Sequence, residues 1–329
     1  MSKFLGIDTS CYTTSAAIFD TASGIVAEER IILSVKEGHR GLSQSEMVFQ
    51  HTKNLPVVLK KLGSCLQEID GIGVSIFPRR RADSYMPVFF VGKGFAESIA
   101  LSKGIPVFEF SHQENHALAA VRESPDLWNK PFYMIHLSGG TQDVLCIEWV
   151  HNEMNIKNLI HSNDITAGQF IDRIGVSLHL SFPAGPKMEE LACCGEDSYH
   201  VPVAKTKNAF SYAGPETKVQ KDILSGKYKK EDIAKGVLVS IGESLKQVLG
   251  QHSFQSKMPF IAVGGVMSNR YLRNIITGIC NNKELTPVFA NPKYSSDNAT
   301  GNAFGAFMRY SHENLYGKRT VSYTHLRAH

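Results

Sequence analysis

The amino-acid sequence predicts an α/β fold made of two related lobes with a ligand-binding cleft between them. Its 329 residues, 43% of them hydrophobic, are enough for two well-formed cores. The predicted order of elements, three strands followed by alternating helices and strands, occurs twice along the chain. A turn rich in glycine and hydroxyl side chains follows the first strand of each series, which is typical of two lobes that share a ligand.

The first series follows from short apolar and β-branched runs between turn residues, and then from apolar residues at helical spacing. Pro56 is expected to interrupt the first helix. The predicted elements are strands at 4–10, 13–20 and 24–33, a helix at 43–66, a strand at 69–77, a helix at 89–104, a strand at 104–110 and a helix at 112–123.

The second series repeats this order, beginning with a three-stranded meander. A glycine pair between a strand and a helix divides its later part, and a helix of small residues closes the chain and is expected to pack back on the first lobe. The predicted elements are strands at 132–140, 143–150 and 152–161, a helix at 231–250, a strand, turn and helix within 258–276, a strand at 287–292 and a helix at 295–310.

Composition excludes several classes of protein. No long uncharged stretch occurs, so neither a signal peptide nor a membrane span is expected, and we predict a cytoplasmic protein. The six cysteines lack CxxC spacing and are interpreted as reduced thiols, mostly in cores. A net charge of +4 permits contact with RNA without demanding it. Residues 319–329 have no periodicity and are expected to be an unstructured or non-native tail.

The most distinctive polar pair is His112 and His116, which lie four residues apart and therefore on one face of the predicted helix. Two imidazoles so placed can bind one metal ion, although an isolated pair is more often two partly exposed surface histidines. In zinc peptidases a glutamate directly follows the first histidine, whereas Gln113 does so here. The sequence therefore argues against a peptidase.

Several turns can contact a nucleotide. Asp8 follows the first strand, in GIDTSCYTTS, and can hold a ligand or ion beside a turn that binds phosphate. The alternative is that this segment is an ordinary hairpin turn. Ser138, Gly139 and Gly140 end the first strand of the second series in the same way. Near predicted helix starts lie three more candidates, where carboxylates can equally be caps: Asp172, Gly185 and Glu189. Asn269 follows a glycine pair between a strand and a helix and can meet a nucleotide, although such a pair is usually just a tight connection. Asp297 is a third, oxygen ligand for a cation or the N-cap of the closing helix.

The chain resembles the family of tRNA N6-adenosine threonylcarbamoyltransferases over nearly its whole length. The resemblance rests on six segments in this order: SHQENHALAA, SGG, AGxxxDRIG, PAGP, GGVMSN and the tripeptide Asp-Asn-Ala at 297–299. The resemblance implies the two-lobed actin-like ATPase fold, a duplicated RNase-H-like architecture. It implies a first lobe of residues 1–112 plus 297–318 and a second lobe of residues 113–296. The catalysed reaction would pass the threonylcarbamoyl group of threonylcarbamoyl-adenylate to N6 of the adenosine that follows the anticodon.

The resemblance also assigns roles to residues and partners. It implies one divalent ion, Fe²⁺ or Zn²⁺, on His112, His116 and Asp297. It places the adenylate, or an ATP-like nucleotide, on Asp8, Ser138, Gly139, Gly140, Asp172, Gly185 and Asn269. The expected partners are tRNA, a smaller paralogous subunit and a small ATPase.

The sequence departs from the family in three substrate-facing loops. Tyr12 and Thr13 replace an acidic pair, and Glu216 replaces a lysine. Three arginines, 79–81, replace small residues and are either a phosphate or RNA contact or a solvated loop. Two other functions therefore stay open, namely an ATP-dependent kinase or hydrolase of the same fold and a non-catalytic paralogue that serves as a scaffold for a true transferase.

Overall fold

A computed structural model describes residues 1–35, 41–80, 84–150, 153–295 and 297–316 of the chain. These residues form two mixed β-sheets with helices packed on them, which confirms the predicted α/β class. The predicted tail at 319–329 lies outside the described residues.

The first sheet has five strands in the order β3-β2-β1-β4-β5. β1 pairs antiparallel with β2, which pairs antiparallel with β3, while β4 and β5 continue parallel to β1. Its strands are β1 (Lys3–Asp8), β2 (Thr13–Asp20), β3 (Gly24–Ile32), β4 (Gly71–Phe77) and β5 (Val107–Ser111).

The second sheet has six strands in the order β11-β10-β6-β7-β8-β9. It repeats the pattern of the first sheet, because β6, β7 and β8 form an antiparallel meander and β10 and β11 continue parallel to β6. The repeat predicted from element order is therefore present. Its strands are β6 (Phe132–Leu137), β7 (Gln142–Val150), β8 (Glu153–Ser162), β9 (Ala209–Phe210), β10 (Pro259–Val263) and β11 (Thr286–Phe289).

Helices cover the two sheets. The prediction that Pro56 interrupts the first helix is wrong, because α1 runs through it. The helices are α1 (Gln44–Lys61), α2 (Phe89–Lys103), α3 (His112–Arg122), α4 (Ala167–Ser177), α5 (Gly185–Cys193), α6 (Ala213–Ser225), α7 (Lys230–Gln251), α8 (Arg270–Asn282), α9 (Pro292–Ser295) and α10 (Thr300–Tyr316).

Helix α10 returns to the first sheet, as predicted, and also packs against α3. Glycines make both contacts close. A Cβ on Gly73 of β4 would lie 2.0 Å from the carbonyl oxygen of Asn302, and one on Gly301 would lie 1.9 Å from that of Asn115. The start of α10 is thereby held beside α3, although the two lie some 180 residues apart along the sequence.

Two other expectations concern the whole molecule. Among the described residues, no helix is long and apolar enough to span a bilayer. All six cysteines are free thiols. Cys280 lies in a core and the partly buried Cys65 and Cys146 pack against one, whereas Cys193 and Cys194 are exposed, so the expected core position is wrong for these two. The lobe boundaries at residues 112 and 297 stay a prediction.

Candidate functional site

Helix α3 begins at the first histidine because Ser111 caps it. The Ser111 hydroxyl accepts from the backbone N–H of Glu114, and the Glu114 carboxylate accepts from the backbone N–H of Ser111 at 2.6 Å. This capping box fixes where the helix starts at the end of β5. His112 and His116 then lie one turn apart, and both are buried. The surface-histidine interpretation is therefore wrong.

Three side chains converge on one point, since the Nε2 atoms of His112 and His116 are 3.1 Å apart and Asp297 Oδ1 lies 3.5 Å from the first and 3.3 Å from the second. A four-coordinate ion with bonds of about 2.1 Å keeps its ligand atoms roughly 3.4 Å apart. Two imidazoles and one carboxylate also form a donor set that suits zinc or iron better than magnesium. The cluster thus fits one divalent transition-metal ion.

Asp8 lies behind the first histidine, with its Oδ2 3.5 Å from His112 Nδ1. The Ser10 hydroxyl donates to the same carboxylate oxygen at 2.5 Å, and Asp8 is fully buried at the end of β1. A carboxylate on the far nitrogen of a metal-binding histidine orients the ring and raises its basicity. The structure therefore places Asp8 with the histidine cluster.

Burial and charge set the protonation of the cluster. Burial disfavours a charge on His112, but Asp8 and Asp297 outweigh it and raise the pKa of His112 to about 10. Burial and the neighbouring charged His112 lower the pKa of His116. Burial alone would raise the pKa of Asp297, but hydrogen bonds from both histidines hold it well below its usual range. Without an ion these shifts favour an imidazolium at His112 beside a neutral His116 and an ionised Asp297.

A third histidine, which the sequence analysis missed, lies beside the cluster. His136 of β6 is fully buried, and its ring centroid is 4.2 Å from that of His116. Burial, followed by the two neighbouring imidazoles, lowers its pKa well below the usual value. Both faces of β6 are buried, so the strand pattern gave no signal that this side chain faces α3.

Two cavities meet at Gly139, which lines both of them, and the first also adjoins the cluster at His112. The first cavity, of about 480 Å³, is lined by Cys11, Tyr12, Met47, Pro78, Arg79, Ser84, Tyr85, Met86, Phe89, His112, Gln113, Gly139, Gly140, Thr141 and Gln169. The second cavity, of about 420 Å³, is lined by Gly139, Gly168, Ile171, Asp172, Pro183, Gly185, Pro186, Glu189, Gly265, Val266, Ser268 and Asn269.

The second cavity brings together most of the residues predicted to contact a nucleotide. Gly185 begins α5 with open space at its Cα, and Asn269 caps α8 by accepting from the backbone N–H of Leu272. Two helix N-termini therefore border the cavity, which favours an anionic ligand. Ser138 has a local structural role in the glycine turn. Its hydroxyl accepts hydrogen bonds from the backbone N–H groups of Gly140 and Thr141 and so shapes this turn.

Asp172 of α4 supplies a carboxylate to the second cavity. Its Oδ1 accepts from the backbone N–H of Ala184 at 2.8 Å. Its Oδ2 lies on the side of Gly139, where a Cβ would be 3.8 Å away. Burial raises the pKa of Asp172 to about 6, although the bond from Ala184 opposes this rise. Such a carboxyl can accept hydrogen bonds from a sugar or base and loses its proton near neutral pH.

A sequence profile of the TsaD family, described as tRNA N6-adenosine threonylcarbamoyltransferase, matches residues 42–304. This match spans most of the chain. The chain belongs to this family. A relative with this name from Persephonella marina is 27% identical over 324 residues, with 94% of this chain and 90% of the relative covered. The one from Thermosipho melanesiensis is 28% identical over 305 residues, with 90% and 91% covered.

Solved structures show the fold. Component A of (R)-2-hydroxyglutaryl-CoA dehydratase from Acidaminococcus fermentans has a TM-score of 0.58 at 16% identity, covering 94% of this chain and 100% of that one. A ROK family glucokinase from Streptomyces griseus has a TM-score of 0.51 at 12% identity, covering 93% and 99%. The predicted two-lobed actin-like ATPase fold is thereby confirmed.

Two of the three loops that depart from the TsaD family pattern, at Tyr12 and at Arg79, line the first cavity, whereas Glu216 lies on α6. The Tyr12 ring meets Phe182 edge to face, with centroids 5.7 Å apart. Arg79 donates to the fully buried Asp143 at 2.7 Å, and Arg80 donates to both oxygens of buried Glu114 at 2.9 Å. These two arginines are anchored to the protein rather than freely solvated. The third, Arg81, lies outside the described residues.

Proposed function

We propose that this chain transfers the threonylcarbamoyl group of threonylcarbamoyl-adenylate to N6 of the adenosine 3′ of the anticodon in tRNA. The observation that carries the proposal is the His112, His116 and Asp297 cluster beside the first of two cavities that meet at Gly139. One cavity has helix N-termini that suit an adenylate, and the other opens next to His112. Membership of the TsaD family supports the same reaction.

The second cavity is the proposed adenylate site. The backbone of Gly139 can approach the phosphate closely because this residue carries no side chain, and the neighbouring Gly140 lines the first cavity. The N-termini of α5, at Gly185, and α8, at Asn269, add partial positive charge. Asp172 offers its Oδ2 to the ribose or base. Gly139 lines both cavities, so the scissile bond of the bound adenylate would lie near this residue and the cluster.

His112, His116 and Asp297 would hold one divalent ion, Fe²⁺ or Zn²⁺. When bound there, such an ion supplies a Lewis acid beside the carbamoyl carbonyl. In the transfer, the N6 nitrogen of adenosine forms a bond to the carbamoyl carbon, the bond from this carbon to the phosphate oxygen breaks, and AMP leaves as the amine loses a proton. Burial of both histidines keeps water from this point, where it would hydrolyse the activated group.

Partners and location belong to the same proposal. tRNA, a smaller paralogous subunit, a small ATPase and a cytoplasmic location all follow from the resemblance to the family. A kinase or hydrolase of this fold is less well supported, because such enzymes hold Mg²⁺ with oxygen ligands, whereas two of the three converging side chains here are imidazoles. A scaffold without activity gives no reason for a buried ligand cluster.

Equilibrium binding of a hydrolysis-resistant analogue of threonylcarbamoyl-adenylate tests this site. We expect the parent protein to bind it, Asp172→Ala to weaken binding by about tenfold or more through the lost hydrogen bonds, and Glu243→Gln, on the exposed face of α7, to leave binding unchanged. Binding of ATP but not of the analogue would favour the kinase or hydrolase. Binding of neither would favour the scaffold.

A further inference from the structure

We propose that Arg79 binds the carboxylate of the threonyl moiety and so makes the first cavity specific for an acyl group that carries a negative charge. The proposal rests on the proposed function, because it places the threonylcarbamoyl half of the adenylate in this cavity. It goes further by naming the side chain that recognises the group to be transferred. Arg79 lies in the arginine loop that follows β4, one of the places where this chain departs from the family pattern.

The first argument is the charge of the first cavity. Among the described residues that line it, Arg79 is the only arginine or lysine, and none is an aspartate or a glutamate. A cavity with one permanent cation and no carboxylate favours a ligand with a negative charge. Of the two halves of the adenylate, the phosphate charge belongs to the nucleotide, and the threonylcarbamoyl group carries a charge only on its carboxylate.

The second argument is that a buried carboxylate holds Arg79 in place. The Nη2 of Arg79 donates to Oδ2 of Asp143 at 2.7 Å, and the Asp143 side chain has no exposed surface. This carboxylate also accepts from Gln113 through Oδ2 and from Asn158 through Oδ1. The carboxylate is thereby fixed from α3 and β8, and it fixes the guanidinium in turn. A side chain that is already ordered loses little entropy when it binds a ligand.

The third argument is that the guanidinium keeps donors for a ligand. Among the described residues, the Arg79 side chain makes its only hydrogen bond through Nη2, to Asp143, and 32% of the side chain is exposed. Its Nε and Nη1 therefore remain for a ligand in the cavity that Arg79 lines. Guanidinium and carboxylate are both planar and can form two parallel N–H···O bonds.

The position of the cavity suits the threonyl group. With the nucleotide in the second cavity, the group attached to its phosphate would extend past Gly139 into the first cavity, beside His112. Gln113, the next residue of α3, lines the same cavity and donates to the carboxylate that holds Arg79. Arg79 thus belongs to the side chains that would surround the threonyl group.

Equilibrium binding of two hydrolysis-resistant analogues of threonylcarbamoyl-adenylate tests the proposal. One analogue has the free threonyl carboxylate and the other has a carboxamide in its place. We expect the parent to bind the carboxylate analogue about tenfold or more tightly. Arg79→Gln should bind the two analogues about equally, and Arg79→Lys, which keeps the charge without the planar fork, should keep part of the preference.

Arg80→Gln is the matched control. Arg80 belongs to the same loop, but its Nε donates to both oxygens of Glu114, and it is not among the described residues that line the first cavity. This variant should keep the preference of the parent. Because the preference is a ratio of two affinities of one protein, a loss of folded protein in any variant leaves it unchanged.

Equal affinities of the parent for the two analogues would overturn the role of Arg79 and leave the adenylate site standing. An unchanged preference in Arg79→Gln, together with weaker binding of unmodified tRNA, would show that Arg79 binds an RNA phosphate and would overturn the proposal as well. A parent that binds neither analogue would overturn the adenylate site of the proposed function itself. The two failures are therefore distinguishable.

Discussion

The affinity of the cluster for a divalent ion should depend steeply on pH. The pKa of His112 is raised to about 10, so at pH 7 only about one molecule in a thousand has the neutral imidazole that an ion requires. Removing that proton costs about 4 kcal/mol at pH 7. The lowered pKa values of His116 and Asp297 leave both ready to bind. Apparent affinity should therefore rise about tenfold for each pH unit from 6 to 8.

Calorimetric titration with Zn²⁺ at pH 6, 7 and 8, repeated in buffers of different ionisation enthalpy, measures both the affinity and the protons released. We expect one proton per ion and a slope of about one in log affinity against pH. A slope near zero would show that His112 is already neutral and would refute the electrostatic reasoning. A slope near two would show that His116 is also charged.

Three further changes test the packing and electrostatics around the site. Gly301→Ala places a Cβ against the carbonyl oxygen of Asn115 and should lower the free energy of unfolding by about 1–3 kcal/mol or more. The control Gly278→Ala, with open space around its Cα, should not destabilise the protein. Equal denaturant midpoints for the two variants would contradict the close contact at Gly301. The raised pKa of Asp172 favours its neutral form in the folded state, so the parent should lose stability as pH rises from 4 to 6.5. Asp172→Asn should remove this loss and raise the free energy of unfolding at pH 7 by up to about 3 kcal/mol. Parallel pH profiles of parent and variant would argue against a raised pKa at Asp172. Ser111→Ala removes the cap of α3 and should cost about 1 kcal/mol in chemical denaturation, and no change would mean that the capping box is dispensable.

The fold could be predicted from the sequence because its signals are local and repeated. Each meander shows short apolar runs between turn residues, and the repeat of this order predicts two similar sheets. The predicted interruption at Pro56 is wrong because α1 continues through this residue despite its missing N–H and its ring. The two-residue strand β9 gives no pattern that a sequence could show.

The site was only partly predictable, for a physical reason. His112 and His116 lie four residues apart and therefore on one helix face, so the contact between the two imidazoles can be predicted from the sequence. Their contact with Asp297 depends on how α10 docks on α3, which local patterns do not contain. His136 was missed because a strand that is buried on both faces hides which residues face the site. Asp8 was predicted to hold a ligand or an ion, and its carboxylate lies 3.5 Å from His112 beside the candidate metal cluster.

The most direct test of the whole account is the transfer reaction itself. Purified protein, loaded with Fe²⁺ or Zn²⁺ and supplied with the smaller paralogous subunit and the small ATPase, is mixed with threonylcarbamoyl-adenylate and unmodified tRNA, and the digested nucleosides are analysed by mass spectrometry. The account predicts N6-threonylcarbamoyladenosine with the parent protein and its loss with Asp297→Ala. No modified nucleoside with the parent, under conditions in which a family relative is active, would contradict it.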